Sequence, residues 1–255
     1  PRGRKPDPMR SSTAATREVL VRRVTAGLVA IAIVGAGCVP EPPPLDDPVV
    51  FDDTQLADFS EFEAQAIVRR AEQITVRIRT LGCRQFGIGS GFVLPGGIVV
   101  TNRHVVDEPR SVTVNTWDGQ TLEASVEGVA VDSDLAILRL QDDIVLPVAE
   151  LRDEPVRRDE PIVVVGYPGG GPATVTTGKV VGLVSGEMLG EPADVIRIDA
   201  EIRQGNSGGP VLDQQGRVVG VVFALEAERG TGLAVPVATL LERLHGAAMA
   251  PPAGC

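Results

Sequence analysis

Apolar and polar residues alternate with a period of two over most of the chain after residue 73. The first such run is Ile74-Thr75-Val76-Arg77-Ile78-Arg79, and short apolar runs bounded by turn residues follow it. Alternation of this kind is typical of β-strands that bury one face. The pattern predicts strands over residues 74–79, 87–94, 98–101, 112–116, 122–131, 135–140, 162–166, 174–184, 195–199, 210–212, 218–224 and 232–235.

A charged stretch divides the predicted strands into two sets of about six. It covers residues 151–161, with Pro155 in its middle. The connections between strands leave no room for crossover helices, which disfavours an open parallel sheet. We therefore expect an all-β fold of two antiparallel six-stranded barrels, over about residues 74–150 and 160–237.

A helix is predicted at each end of the folded domain. Ser60 and Glu63 have the spacing of a capping box, which predicts a helix that reaches about Gln73. A second short helix is expected over residues 237–245. We expect the folded domain to extend over residues 60–255.

The amino-terminal part has the features of a targeting segment. Arg22 and Arg23 precede the uncharged residues 24–39, a run shorter than the roughly 20 residues that span a bilayer. A basic flank before a short apolar run is typical of a signal peptide, so residues 1–37 are expected to direct export, with Met9 as an alternative start. Residues 38–59, rich in proline and acidic groups, are expected to form an extended linker.

The three cysteines lead to two further expectations. Gly35-Ala36-Gly37-Cys38 resembles a bacterial lipoprotein cleavage box, so lipidation of Cys38 is one interpretation. Ordinary signal cleavage and an uncleaved anchor are the alternatives, and all three place the rest of the chain outside the cytoplasm, at the cell envelope. In an oxidising compartment, Cys83 and Cys255 are candidates for a disulfide, with two unpaired thiols as the alternative.

Charge and composition exclude several classes of partner. The net charge is −10, but residues 1–37 carry 7 basic and 2 acidic groups, so the remainder has a net charge of −15 and would repel a phosphate backbone. Only 3% of the residues are aromatic, which leaves few platforms for stacking bases. The chain has 2 His and 3 Cys, none of them at metal-ligand spacing, so we expect neither nucleic-acid binding nor a metal or other cofactor. No pattern in the sequence indicates an oligomeric state.

A glycine-rich stretch carries the best candidate for a nucleophile. In Gly205-Asn206-Ser207-Gly208-Gly209-Pro210, the glycines permit a tight turn that leaves the hydroxyl unshielded. They also let neighbouring N–H groups point at one spot, as stabilisation of an oxyanion requires. A serine hydroxyl is a poor nucleophile unless a base removes its proton.

Histidine and aspartate candidates for the remaining roles follow from their positions. His104 lies at the end of an apolar strand, whereas His245 lies near the end of a predicted surface helix. Asp134 heads a predicted strand and is the preferred carboxylate to orient an imidazole, with Asp132 as the alternative.

Several strings resemble those of the trypsin-like, chymotrypsin-fold serine proteases, most closely the bacterial HtrA-type branch. Residues 101–106, 134–138 and 205–210 match the family's motifs in its order of His, Asp and Ser. Further strings with this resemblance are at residues 166–169, 175–181 and 232–236. The resemblance covers about residues 74–245.

This resemblance implies an exported serine endopeptidase that cleaves proteins or peptides through an acyl-enzyme. Ser207 would be the nucleophile, His104 the general base and acid, and Asp134 the group that orients His104. The backbone N–H groups of Gly205 and Ser207 would form the oxyanion hole.

The resemblance also implies residues that bind substrate. Phe223, Ala224 and Leu225 match the edge strand along which the substrate backbone pairs. Glu201 precedes Ser207 by six residues, where family members line the floor of the specificity pocket, so it would favour a basic side chain there. The alternative is a Glu201 side chain turned toward Arg203 or solvent.

The chain departs from the family pattern at two places. HtrA-type proteins usually carry PDZ domains after the protease, and few residues follow His245, so we expect a protease domain without that module. Digestive members have an aspartate before the nucleophile, where this chain has Asn206, so activation through that salt bridge is not expected.

Two other functions remain as alternatives. A protease-like module at the envelope, latent or of the chaperone type, would hold partner proteins without cutting them. An α/β-hydrolase would use Ser207 with Asp213 and His245, but Pro210 continues into a strand instead of a helix, which disfavours that fold.

Overall fold

A computed structural model describes residues 61–186, 193–226, 229–246 and 249–254, without the side chains of residues 61–64. The predicted signal segment, the linker, Cys38 and Cys255 lie outside the described residues. Among the described residues, no helix is long and apolar enough to cross a bilayer.

Strands dominate the described residues, and one helix stands at each end. In chain order the elements are α1 (Glu61–Ile74), β1 (Thr75–Gly82), β2 (Phe86–Leu94), β3 (Ile98–Asn102), β4 (Pro109–Asn115), β5 (Thr121–Ala130), β6 (Leu135–Leu140), β7 (Pro161–Gly166), β8 (Thr174–Val184), β9 (Val195–Ala200), β10 (Pro210–Leu212), β11 (Val218–Glu226), β12 (Thr231–Pro236) and α2 (Val237–Leu244).

The strands close into two six-stranded barrels. The first has the strand order β1-β2-β3-β6-β5-β4 and the second the order β10-β11-β12-β9-β8-β7. The pairings within each barrel are antiparallel. The predicted fold class is therefore confirmed, with the division between the barrels at the charged stretch.

Three apolar clusters hold this architecture together. One fills the first barrel around Ile78 and Leu138, and another fills the second barrel around Ile162 and Ile198. The third lies between the barrels, where Phe92 of β2 and residues of β7, β10 and β11 pack with both helices. Burial of apolar area in this third cluster fixes the barrels against each other.

Short 3-10 turns are the main local feature that the alternation pattern does not predict. One covers Arg103–Val106 directly after β3, and the other covers Pro168–Gly170 shortly after β7. Each follows a strand that ends at the junction of the barrels. Both therefore place their residues beside the site described below.

The segment between β6 and β7 is tied to the second barrel by a buried ion-pair network. Arg152 is 7% exposed and binds the carboxylates of Glu160 and Asp213, the latter at 3.2 Å. Asp213 is 1% exposed and also accepts hydrogen bonds from Arg217. Because a carboxylate is poorly solvated there, each anion depends on its arginines.

Replacement of Arg152 by alanine is expected to lower the free energy of unfolding by roughly 2–3 kcal/mol at neutral pH, because it leaves buried carboxylates short of a partner. Asp213 keeps Arg217, so the loss stays at the lower end of the range for broken buried pairs. Urea denaturation of the variant and of Arg139→Ala, which breaks an exposed pair with Glu127, checks this.

The loss of stability caused by Arg152→Ala is expected to become smaller at low pH. Arg152 holds the pKa of Glu160 below its usual value of 4.5, so the pair stabilises the fold above that pH. Its contribution is lost as the pH falls through the lowered pKa. An Arg152→Ala effect that is as large at pH 2.5 as at pH 7 would contradict this origin.

Candidate active site

The end of β3 places His104. The 3-10 turn after β3 buries Val105 and Val106, which are 2% and 1% exposed. These two side chains anchor the turn in the first barrel. The His104 side chain is 44% exposed to solvent. The imidazole is therefore held at its base and accessible at its tip.

Asp134 orients this imidazole from the start of β6. Its carboxylate accepts a hydrogen bond from the His104 backbone N–H at 3.2 Å and lies 2.5 Å from His104 Nδ1. The backbone carbonyl of Asp134 accepts from the Arg103 N–H at 2.9 Å and from Asn102 Nδ2 at 3.1 Å. With Nδ1–H donated to the carboxylate, Nε2 is left as a proton acceptor.

Asp134 also has a backbone conformation that is uncommon for its residue type. Its φ is +50°, in the left-handed region that aspartate tolerates better than most residues. Two hydrogen bonds to its carbonyl and two to its carboxylate hold it there. Strain that is compensated in this way is common at functional sites.

Ser207 lies at the other side of the junction, in the connection before β10. Residues 203–206 form a turn that is closed by the Asn206 N–H donating to the Arg203 carbonyl at 3.0 Å. Gly205, the third residue of this turn, has a φ of +103°, as a type II turn requires at that position. Among the described residues, the backbone N–H groups of Gly205 and Ser207 have no hydrogen-bond acceptor, so both remain able to bind an anion.

The first barrel brings this turn close to the histidine. The Ser207 carbonyl accepts a hydrogen bond from the Ser90 N–H of β2 at 2.8 Å. A Cβ on Gly89 would lie 3.0 Å from that carbonyl and 2.6 Å from Val105, the neighbour of His104. Within the described residues no direct hydrogen bond joins Ser207 to His104. Such bonds are often long before substrate binds.

The other candidates from the sequence lie elsewhere. Asp132 pairs with Arg243 of α2 at 2.7 Å instead of with His104. His245 is exposed at the end of α2, and Asp213 belongs to the buried network with Arg152. The set that an α/β-hydrolase would need is therefore not assembled.

Glu201 and Arg203 form an ion pair on the surface. Their side chains are 61% and 62% exposed, and Arg203 Nη2 lies 2.6 Å from the Glu201 carboxylate. Glu201 is thus turned toward Arg203, the alternative to a place on a pocket floor.

The residues expected to pair with substrate lie along β11. Ala224 and Leu225 pair with Leu233 and Gly232 of β12 on one side. On the other side, β10 pairs with β11 only from residue 218 to 221, so within the described chain residues 223–225 have no strand partner there. A free edge of this kind can accept an extended peptide.

Asn206 is buried next to Ser207. It is 2% exposed, and its side-chain oxygen has no hydrogen-bond partner among the described residues. The group is neutral, so no buried charge needs compensation at this position. No group of three or more potential metal ligands occurs in the described residues.

Comparison with known proteins gives one family and several relatives. The family model described as a trypsin-like peptidase domain matches residues 89–221. The chain is 36% identical over 176 residues to serine protease Rv3671c of Mycobacterium tuberculosis. The matched region covers 64% of this chain and 44% of that protein. It is 36% identical over 192 residues to the mitochondrial serine protease HTRA2 of Bos taurus, which covers 70% of this chain and 42% of the relative.

A solved structure shares the same fold. The active form of the Rv3671c protease from M. tuberculosis superposes with a TM-score of 0.68 at 31% identity, covering 84% of this chain and 95% of that one. The chain spans less than half the length of the two relatives named above.

Gly208, directly after Ser207, tolerates no side chain. A Cβ there would lie 2.1 Å from the Ser90 carbonyl, and the φ of Gly208 is +86°. We expect Gly208→Ala to lower the free energy of unfolding by at least about 3 kcal/mol, because close contact adds to the backbone strain. Chemical denaturation measures this.

Gly230 provides the matched control for Gly208. Its φ is +67° and a Cβ would meet nothing within 4 Å. Gly230→Ala is therefore expected to lower the free energy of unfolding by only about 1 kcal/mol, from the strain of alanine at a positive φ. Equal losses in the two variants would contradict the close packing of the turn on β2.

Proposed function

The chain belongs to the trypsin-like serine proteases of the HtrA type, and from this membership we propose that it is an exported serine endopeptidase with Ser207, His104 and Asp134 as its triad. The observation that carries the proposal is the His104–Asp134 contact at 2.5 Å, together with a turn in which the N–H groups of Gly205 and Ser207 have no acceptor among the described residues. A carboxylate-oriented imidazole and a preformed anion site are the two parts that a serine nucleophile needs.

Acylation follows from the roles of these groups. Ser207 Oγ attacks the scissile carbonyl carbon, and His104 Nε2 takes the hydroxyl proton as the new C–O bond forms. The carbonyl oxygen becomes an oxyanion, which the N–H groups of Gly205 and Ser207 bind. As the C–N bond breaks, His104 gives its proton to the leaving amine, and an ester on Ser207 remains.

Deacylation repeats these steps with water as the nucleophile. His104 removes a proton from the water, which attacks the ester carbonyl and forms a second oxyanion in the same place. The C–O bond to Ser207 then breaks, and His104 returns the proton to Ser207 Oγ. Asp134 stabilises the protonated imidazole in both halves of the cycle.

The substrate is proposed to be an extended segment of protein or peptide. It would add a strand along the free edge at residues 223–225, which fixes the backbone ahead of the scissile bond. Because Glu201 pairs with Arg203, its carboxylate is not free to attract a basic side chain. We therefore propose no preference for lysine or arginine before the scissile bond, and expect Glu201→Gln to leave side-chain preference unchanged.

Export and anchoring rest on the amino-terminal sequence. The basic flank followed by residues 24–39 supports export, and Cys38 is the proposed site of lipid attachment at the membrane. The linker of residues 38–59 would then hold the folded domain away from the bilayer.

The described residues support a disulfide between Cys83 and Cys255. Cys83 Sγ lies 3.4 Å from the Glu108 carbonyl, and Pro252 lies in a surface groove beside Pro109 and Arg110. Ala250 also pairs with Val129 of β5, so the end of the chain returns to the first barrel. Cys255 follows Pro252 by three residues, which span at most about 10 Å when extended.

Reaction of the full chain with a fluorophosphonate tests the proposed activity. We expect phosphonylation of Ser207 alone, identified by peptide mass spectrometry, and no labelling of Ser207→Ala. The Asp134→Asn variant should lose at least about 100-fold in labelling rate, since the imidazole loses its orienting anion.

Asp132→Asn is the matched control for the carboxylate, because Asp132 lies two residues away and pairs with Arg243. Its labelling rate should stay within about twofold of the original chain. A folded chain that is not labelled between pH 5 and pH 9 would contradict the endopeptidase and support the protease-like binding module.

Mass spectrometry of a digest without reduction tests the disulfide. We expect a peptide pair that joins Cys83 to Cys255 and separates on reduction. Reduction is expected to lower the free energy of unfolding by up to about 5 kcal/mol, because it releases a very long loop in the unfolded chain. Free thiols at both positions in protein isolated from an oxidising compartment would contradict the pairing.

A further inference from the structure

Ser90 occupies the point at which the first barrel contacts the turn of residues 203–206 and Ser207 after it. It lies in the middle of β2, is 0% exposed, and pairs across the strands with Arg77 of β1. Directly paired residues point to the same side of a sheet. The side chains of Ser90 and Arg77 therefore both face the second barrel.

Each polar group of Ser90 is engaged. Its N–H donates to the Ser207 carbonyl at 2.8 Å, and its hydroxyl donates to the Gly205 carbonyl at 2.7 Å. The hydroxyl oxygen accepts from the Tyr167 N–H at 2.9 Å, and the Ser90 carbonyl accepts from Thr101 Oγ1 at 2.7 Å. One buried residue thus joins the strand that leads to His104 with Gly205 and Ser207.

The peptide between Gln204 and Gly205 decides whether the anion site exists. The Gln204 carbonyl accepts a hydrogen bond from the Gly169 N–H at 2.8 Å. In a trans peptide, the C=O and the N–H point in opposite directions. A Gln204 carbonyl held against Gly169 therefore directs the Gly205 N–H away from that loop and toward the site. Rotation of this peptide would replace the donor by a carbonyl oxygen.

Arg77 holds the loop that makes this contact. Its Nη1 donates to the carbonyls of Gly170 at 3.0 Å and Gly171 at 3.4 Å. Its guanidinium lies 5.7 Å from the ring centre of Tyr167, a cation–π distance. Burial raises the pKa of Tyr167 to about 12, so the phenol remains neutral throughout the range in which a peptidase of this kind would work.

The surroundings of Ser90 leave room for a hydroxyl and little more. A Cβ on Gly166 would lie 3.0 Å from Ser90 Oγ, and a Cβ on Gly209 would lie 3.4 Å from Ser90 Cβ. Both glycines flank the nucleophile region, from β7 and from the residue before β10. The Ser90 side chain thus fits here because neither glycine carries a side chain, and its hydroxyl meets the Gly205 carbonyl.

We propose that Ser90 and Arg77 are positioning residues that keep the oxyanion hole formed. Ser90 fixes the peptide after Gly205 directly, and Arg77 fixes the peptide before it through the 168–171 loop. The inference rests on the proposed peptidase activity and adds that the anion site of the second barrel is imposed by two side chains of the first.

Ser90→Ala removes the hydroxyl without adding bulk. We expect kcat for a peptide anilide to fall about 10- to 100-fold with KM within twofold, because the lost contact acts on the transition state. The affinity for a peptide aldehyde, which forms a tetrahedral adduct on the nucleophile, should fall by the same factor. The affinity for the matching peptide alcohol, which forms no adduct, should not change.

Thr75→Val is the matched control. Thr75 is also 0% exposed, lies in β1 and uses its hydroxyl on the Ala71 carbonyl at 2.6 Å, so the variant removes a buried hydrogen bond that does not reach the turn. It should lower thermal stability as Ser90→Ala does while kcat stays within twofold. A kcat loss that is the same in both variants, or absent from Ser90→Ala, would overturn the proposal.

A second variant and a structural readout keep the test independent of folding and of activity. Arg77→Met keeps the length of the side chain but cannot donate to the loop, and it should reproduce the kcat loss if Ser90→Ala does not fold. In a crystal structure of either variant, we expect the Gly205 N–H to be rotated away from the site. An unrotated peptide refutes the inference even in a chain without peptidase activity, whereas an unlabelled Ser207 in the original chain refutes only the proposed function.

Discussion

The contact between β2 and the turn before β10 is the constraint on which the site depends. Ser90 gives its N–H to the Ser207 carbonyl and its hydroxyl to the Gly205 carbonyl, across the boundary between two closed barrels. Neither barrel alone contains both partners, so the site exists only when the barrels are docked. The glycines at 208 and 209 allow this approach, since a side chain at either would enter neighbouring backbone.

Apolar packing and ion pairs hold the two barrels together, each at a different place. The cluster between the barrels includes Phe92, and both helices pack against it, which supplies the bulk of the stabilisation. The segment between β6 and β7 is fixed separately, because Arg152 pairs with Glu160 of the same segment and with Asp213 directly after β10. The side chains of the strands can thus be small and aliphatic, and the chain needs few aromatic residues to form its core.

Much of the fold could be predicted from the sequence, and Ser207, His104 and Asp134 could be named as candidates, because both leave local signals. Alternation in the run that begins at Ile74 marks a half-buried strand, and glycine on both sides of Ser207 marks an exposed hydroxyl. Other features depend on contacts between distant residues. The sequence around Ser90 predicts only a strand, and the folded chain brings Ser90 to Gly205. The pairing of Glu201 with Arg203 and the left-handed backbone of Asp134 are likewise set by surroundings that no local pattern reveals.

If the two barrels together form a nucleophile with a ready oxyanion site, the chain should react with a peptide boronic acid, and a crystal structure of the product shows where the boron is bound. We predict a tetrahedral boron bonded to Ser207 Oγ, with one boronate oxygen about 2.7–3.1 Å from the N–H nitrogens of Gly205 and Ser207. His104 Nε2 should lie within hydrogen-bond distance of the adduct. An adduct on another residue, or one on Ser207 whose oxygens reach neither N–H group, would show that the two barrels do not form this site.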